Sequence, residues 1–363
     1  MVETSQGGRA QVDFGYRLHI VRTPLFSGRI PLRLVFVSAI LFVLAIGFTL
    51  LAIGIGDTPL TFGEILRALG GRADEFHTRV VVEWRLPVAV AALVFGALLG
   101  IGGAIFQSLT RNPLGSPDVI GFDAGSFTAV ATMILIVGTR DYWNLATAAV
   151  IGGILTALVV YLLAYRGGIQ GFRLIIVGIA VAAMLNALNG YLITRADVDD
   201  AMVVGFWAAG SIHRVTWASM IPALIITLVL ALCVMLLAPS LRRLELGDDA
   251  AVTQGLRPGP VRLALIVIGV ATGALVTAAA GPIGFIALAA PQIARRVTRS
   301  SGVSVLSAAA TGSALLAAAH LLSLVIAHQY RPIPVGLITV SVGGVYLIWL
   351  LIRESRRQIG VLA

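Results

Sequence analysis

Apolar runs of bilayer length recur from Leu34 to the C-terminus, broken only by short clusters of Arg, Asp, Pro and Gly. A helix needs roughly 17–25 such residues to cross about 30 Å of hydrocarbon. The candidate spans are Leu34–Ile55, Leu86–Leu109, Val119–Val137, Trp143–Tyr165, Leu174–Ile193, Trp217–Leu237, Val261–Ala280, Ile283–Ala294, Val305–Ile326 and Val335–Ile352. The eighth has 12 residues and is too short to count as a crossing on hydropathy alone. The pattern predicts an all-α integral membrane protein of about ten transmembrane helices. Val203–Arg214 is also too short to cross and reads as an external or re-entrant helix.

Arginine placement orients the spans. With the N-terminus inside, about eighteen arginines fall on the cytoplasmic side and about eight outside, as the positive-inside tendency requires. Both termini are then expected on the cytoplasmic side of the membrane, and a basic set made only of arginine points to a GC-rich bacterial genome. Residues 1–33 read as a polar tail, 34–352 as one polytopic domain and 353–363 as a second tail.

Composition narrows the chemistry. The chain of 363 residues is 58% hydrophobic and 12% charged, with a mean hydropathy of +0.97, which excludes a soluble fold. All 26 basic residues are arginine. Without lysine there is no Walker A phosphate loop and no Schiff-base catalysis, so ATP-driven work would need a separate ATPase chain. The net charge of +9 belongs to helix ends and not to a nucleic-acid surface. Cys233 stands alone inside an apolar run and reads as a small buried hydrophobe.

Three stretches are more than membrane filler. Arg85–Asp118 ends in a polar turn punctuated by Pro113 and Pro117, where Gln107, Ser108, Thr110 and Asn112 can cap a helix. Gly281–Arg296 (GPIGFIALAAPQIARR) reads as a broken helix start, tolerated at membrane depth only where protein or a cavity surrounds it. Ser240–Pro260 is the longest polar insert on the cytoplasmic face and reads either as a solvated loop or as a docking element. His320 in the ninth span reads as a packed, hydrogen-bonded structural residue ahead of a ligand or proton site, and Asn186, Asn189 and Tyr191 in the fifth are accounted for equally by interhelical hydrogen bonds or by a path lining.

WRLP at Trp84–Pro87, GAIFQSLTRNPLGSPDVIGFDAGS at Gly103–Ser126, LGDDAAVTQGL at Leu246–Leu256, GPIGFIALAAPQIARR and PVGLITVSVGG at Pro334–Gly344 occur in that order. Together they resemble the FecCD-type permease family of importers for vitamin B12, haem and ferric siderophores. The resemblance implies a transport subunit, not an enzyme, that pairs with a second permease copy or paralogue within membrane lipid. Two cytoplasmic ATPase subunits would bind ATP and Mg and dock below, and an extracytoplasmic substrate-binding protein would dock above. It implies no cofactor on this chain and no nucleic acid.

By the same resemblance, Leu246, Gly247, Asp248, Asp249, Ala251, Thr253, Gln254 and Gly255 form the ATPase-coupling loop. Arg85 and, less well aligned, Arg331 face the binding protein. Gly171 and Phe172 fall at the cytoplasmic gate, while Asn186, Asn189, Pro282 and Phe285 are candidates for the path on their own polar or broken-helix pattern. Val325, Pro332 and Gly343–Val345 depart from the family pattern and point to an asymmetric partner. Ferric siderophore leads vitamin B12 and haem as substrate. An ion-coupled carrier would need acids within the membrane, whereas the acids here read as loop residues, with Asp118 and Asp123 near a cytoplasmic end.

Overall fold

A computed structural model describes residues 18–22, 27–118, 120–165, 171–300, 302–329 and 333–361. The apolar runs become helices: α1 (Leu32–Gly54), α4 (Leu86–Thr110), α5 (Phe122–Thr132), α6 (Tyr142–Ala164), α7 (Gly171–Arg195), α9 (Trp217–Glu245), α11 (Pro258–Ala280), α12 (Ile286–Thr298), α13 (Val305–Gln329) and α14 (Val335–Val361). Shorter helices α2 (Phe62–Leu69), α3 (Glu75–Thr78), α8 (Val198–Ala208) and α10 (Asp248–Thr253) lie between them. A π-helical turn, Arg79–Arg85, joins α3 to α4, and a second, Met133–Val137, extends α5. The one departure from an all-helical chain among the described residues is an antiparallel hairpin, β1 (Leu18–Arg22) with β2 (Ser27–Pro31), before α1.

Among the described residues, seven helical stretches are long and apolar enough to cross a membrane, and Phe122–Val137 and Val335–Trp349 form shorter apolar helices. The eighth predicted span is displaced: α12 starts at Ile286 and has 13 residues, about 20 Å of helix. It therefore reaches only part of the way across. α9 continues past Leu237 because its last turns carry Arg242 and Arg243 beside the buried Leu241 and Leu244. α14 runs through Ile352 to Val361 without a break. Val203–Arg214 becomes α8 followed by a single 3-10 turn, Ile212–Arg214.

At the centre is α4, packed on α1, α9, α11, α12 and α13. Lipid tails are as apolar as leucine, so membrane helices associate through close packing and polar contacts. α4 achieves this with small residues. Gly96 and Gly100 meet the backbones of Gly312 and Ala308 on α13, and Gly103 meets the backbone of Ala287 on α12. A Cβ at any of the three would overlap a carbonyl group.

The segment after α4 corrects the reading of the two acids. The chain reverses at Arg111, which caps α4 in a left-handed conformation (φ 50°), and climbs back into the bundle. Pro117 lies beside Gly273, in the middle of α11, and Ile120 beside Gly178 of α7. Asp118 accepts a hydrogen bond from the Phe285 N–H (3.0 Å), and Asp123 accepts one from Thr277 Oγ1 (3.0 Å), three residues before the end of α11. Both acids thus sit within the bundle, far from the helix ends where Arg111, Arg242 and Arg243 cluster. Hydropathy missed this because a turn that re-enters has the same composition as one that leaves.

Candidate functional site

The first functional region lies at that arginine-rich end. α9 stops at Gly247 and α10 at Gly255, glycines with φ of 116° and 76°, backbone that only glycine adopts readily. Between them α10 exposes Asp249, Val252, Thr253 and Gln254 and buries Ala251 against the bundle. Leu246 and Val252 are 68% and 57% exposed. Two large apolar side chains on an otherwise polar loop suit a contact surface.

Asp248 turns inward. Its Oδ1 accepts from Arg111 (2.7 Å), which also donates to the Leu244 carbonyl (3.2 Å), and from Arg262 of α11 (2.7 Å). Arg262 is buried, with 9% of its side chain exposed. Ser108 adds a bond to Glu245 (2.5 Å). Three elements, α4, the α9–α10 turn and α11, are thereby tied through one carboxylate. The residues predicted in Leu246–Gly255 therefore divide into exposed ones, the buried Ala251, and Asp248, which is half exposed and anchors the loop.

Burial pushes the Asp248 carboxyl up, but the hydrogen bond and charge of Arg262, followed by those of Arg111, outweigh it and hold the group below its ordinary value of 3.8. A depressed acid contributes stability that is fully present above its unfolded value and lost as pH falls through the folded one. The difference in melting temperature between the native protein and Asp248→Ala is expected to stay constant from about pH 8 to about pH 5 and to shrink only below about pH 4. A difference that already closes at about pH 6 would mean that another group carries the interaction.

The second region is the break Gly281–Phe285 between α11 and α12. Gly281 adopts φ 74° and Phe285 φ 76°, a conformation that costs a non-glycine residue roughly 1–3 kcal/mol. Phe285 has no capping side chain from its own helix, and Asp118 supplies the acceptor instead. Thr339 Oγ1 donates to the Gly284 carbonyl (3.0 Å), and the Phe285 ring lies on Gly343 of α14. Pro282 rests against Gly210. An apolar cavity of about 270 Å³ opens beside the break, lined by Phe285, Leu315, Ala319, Ile338, Val342 and Tyr346 among others.

The remaining predicted residues do not join these two regions. Gly171 packs on the Thr110 backbone at the arginine-rich end, and Phe172 beside it is 72% exposed. Asn186 is exposed on α7, whereas Asn189 is buried with neither carboxamide atom hydrogen-bonded within the chain. At the opposite end of the bundle Arg85 bonds the carbonyls of Ile53 (2.7 Å) and Thr58 (2.8 Å), which fixes the turn after α1. Arg331 and Pro332 lie outside the described residues. His320 is buried, its ring 5.1 Å from that of His213.

Sequence reasoning missed Arg262 and Glu245 as partners of the loop, and the cap that Asp118 provides. A lone arginine near the start of an apolar run was the available signal for the first of these.

The sequence model of the FecCD transport family matches residues 42–353. The chain is 46% identical to the ferric enterobactin transport system permease protein FepG of Escherichia coli (strain K12), over 84% of this chain and 91% of that one. It is 33% identical to the Fe(3+)-citrate import system permease protein YfmE of Bacillus subtilis (strain 168), over 88% and 95%. Among solved structures, an inward-facing ABC transporter chain of metal-chelate type superposes with a TM-score of 0.76 at 23% identity, covering 88% of this chain and 99% of that one, and so shares its fold. With the match running through nearly every membrane helix, the chain is a multi-span membrane protein that belongs to the FecCD transport family.

Proposed function

We propose that this chain is the membrane-spanning permease subunit of an ATP-driven importer that carries a ferric siderophore across the bacterial inner membrane. The observation that carries this reading is its 46% identity, along nearly the full length of both chains, to a ferric enterobactin transport permease. In this reading the arginine-rich end faces the cytoplasm. Two ATPase subunits, which bind ATP and Mg, take up the exposed face of α10, with Leu246, Val252, Thr253 and Gln254 as its contacts. A second permease subunit, identical or paralogous, covers the exposed face of α7 that carries Phe172 and Asn186. The chelate passes between the two permeases, and a substrate-binding protein delivers it at the Arg85 end. ATP closure would push α10, and Asp248 would carry the movement to α4 and α11.

The test is uptake of radiolabelled ferric enterobactin into vesicles that hold this chain with its permease, ATPase and binding-protein partners. Native protein is compared with Asp249→Ala, Thr253→Ala and Gln254→Ala combined, leaving Asp248 in place to preserve the fold. ATP-dependent uptake in the native vesicles, lost in the variant at equal membrane level together with ATPase binding, is the expected result. Uptake that needs no ATP would overturn the reading in favour of an ion-coupled carrier, for which Asp118 and Asp123 would be the acids to test. Uptake of cobalamin or haem in place of the ferric chelate would reassign the substrate.

A further inference from the structure

Residues 111–118 touch both functional regions, and their contacts run from one to the other. At the lower end Arg111 holds Asp248 (2.7 Å) and the Leu244 carbonyl (3.2 Å). Next to it, Gln292 of α12 donates to the Pro113 carbonyl (3.4 Å) and to Gln107 Oε1 (2.6 Å). At the upper end Asp118 accepts the Phe285 N–H (3.0 Å). The segment is therefore bonded to the start and to the middle of α12 and, at its base, to the turn that carries α10.

The upper contact has a specific physical basis. A helix that begins inside the membrane presents N–H groups that water cannot satisfy. Its N-terminus also carries the positive end of the peptide dipoles, which favours a carboxylate. α12 begins in this way at Phe285, and Asp118, 167 residues earlier in sequence, accepts the N–H. Ser116, Pro117 and Ile120 are buried around it, which gives the segment little room to move independently of α12.

We propose that residues 111–118 are the link that carries displacement of the α10 loop to the pathway break, with Arg111 as its lower joint and Asp118 as its upper one. Asp118 acts as a positioning residue: it holds the start of α12 where Phe285 meets Gly343 and the apolar cavity. When α10 moves, Arg111 follows Asp248, the segment shifts, and the Phe285 end of α12 shifts with it. The proposal rests on the importer reading, because it needs a partner that moves α10.

The test uses the assembled complex in vesicles. Asp118→Ala is expected to lower uptake per ATP hydrolysed about tenfold, the effect of losing one cap-sized interaction. Asp118→Asn keeps a carbonyl oxygen for the Phe285 N–H and is expected to retain coupling. A reporter, Val342→Cys in a Cys233→Ser background, reads the break directly, since Val342 lines the cavity with Phe285 and is 56% exposed. Its labelling rate is expected to differ between ATP-bound and nucleotide-free complexes, and that difference is expected to vanish in Arg111→Asn. Asparagine tolerates the left-handed backbone at that position, and Arg111 contributes no side chain to the cavity.

Coupled uptake in Asp118→Ala, or equal loss in Asp118→Asn and Asp118→Ala, would overturn the role of the cap. An unchanged nucleotide response at the reporter in Arg111→Asn would overturn the link, and this arm decides even where Asp118→Ala fails to assemble. Absence of ATP-dependent uptake in the native complex would instead sink the importer reading itself.

Discussion

Gly103→Leu is expected to leave almost no correctly folded protein in the membrane. The position faces the backbone of Ala287 on α12, and even a methyl group there would overlap its carbonyl. Overpacking of a core usually costs about 1–3 kcal/mol when neighbouring side chains can shift. Here the obstacle is backbone, held by Pro291 inside α12, by the Gln107 bond to the Leu288 carbonyl (2.9 Å) and by the Asp118 cap. The helices must therefore separate, and α4 loses its close contact with α12 and the packing at Gly96 and Gly100 beyond it. Gly47→Leu is the control, because nothing lies within 4 Å of a Cβ at that position of α1. The two variants are compared by yield of monodisperse protein in detergent and by melting temperature. Equal values for both would mean that α4 and α12 do not approach as described.

Hydropathy located the long helices well because each is a local property: an uninterrupted apolar run must bury its backbone hydrogen bonds whatever it packs against. The same local view was blind to depth. Asp118 and Asp123 read as cytoplasmic because they follow a polar, proline-marked turn, yet the turn folds back and the two acids accept from the Phe285 N–H and Thr277 Oγ1, more than 150 residues away. The start of α12 was misplaced by three residues for a related reason. Ile283 is apolar and buried, but the φ of Phe285 delays the helix until Ile286. In the coupling loop, motif resemblance pointed to the stretch as a whole and could not separate Asp248 from its neighbours. Only the position of Arg262, on the next helix, shows that one acid points inward while Asp249 points out.

That division leads to the second large effect. Asp248→Ala is expected to destabilise the protein by about 2 kcal/mol, while Asp249→Ala changes stability by less than about 0.5 kcal/mol. Removing one member of a buried pair typically costs about 3–5 kcal/mol because the other charge remains in a poorly solvated site. Arg262 is such a site, with 9% of its side chain exposed, but Asp248 is 48% exposed, so part of the attraction is screened by water and the expected cost is lower. Arg262→Met should be milder, at about 1 kcal/mol, because Asp248 keeps Arg111 and solvent, and methionine replaces much of the aliphatic stem of the arginine. If the Asp248→Ala cost comes mainly from taking this carboxylate away from the Arg262 charge, the double variant should be no less stable than Asp248→Ala alone. Thermal denaturation of the four proteins in one detergent gives this cycle directly. Strict additivity of the two single effects would show that the pair is not coupled, and Asp248 would then count with Asp249 as a residue of the outer face.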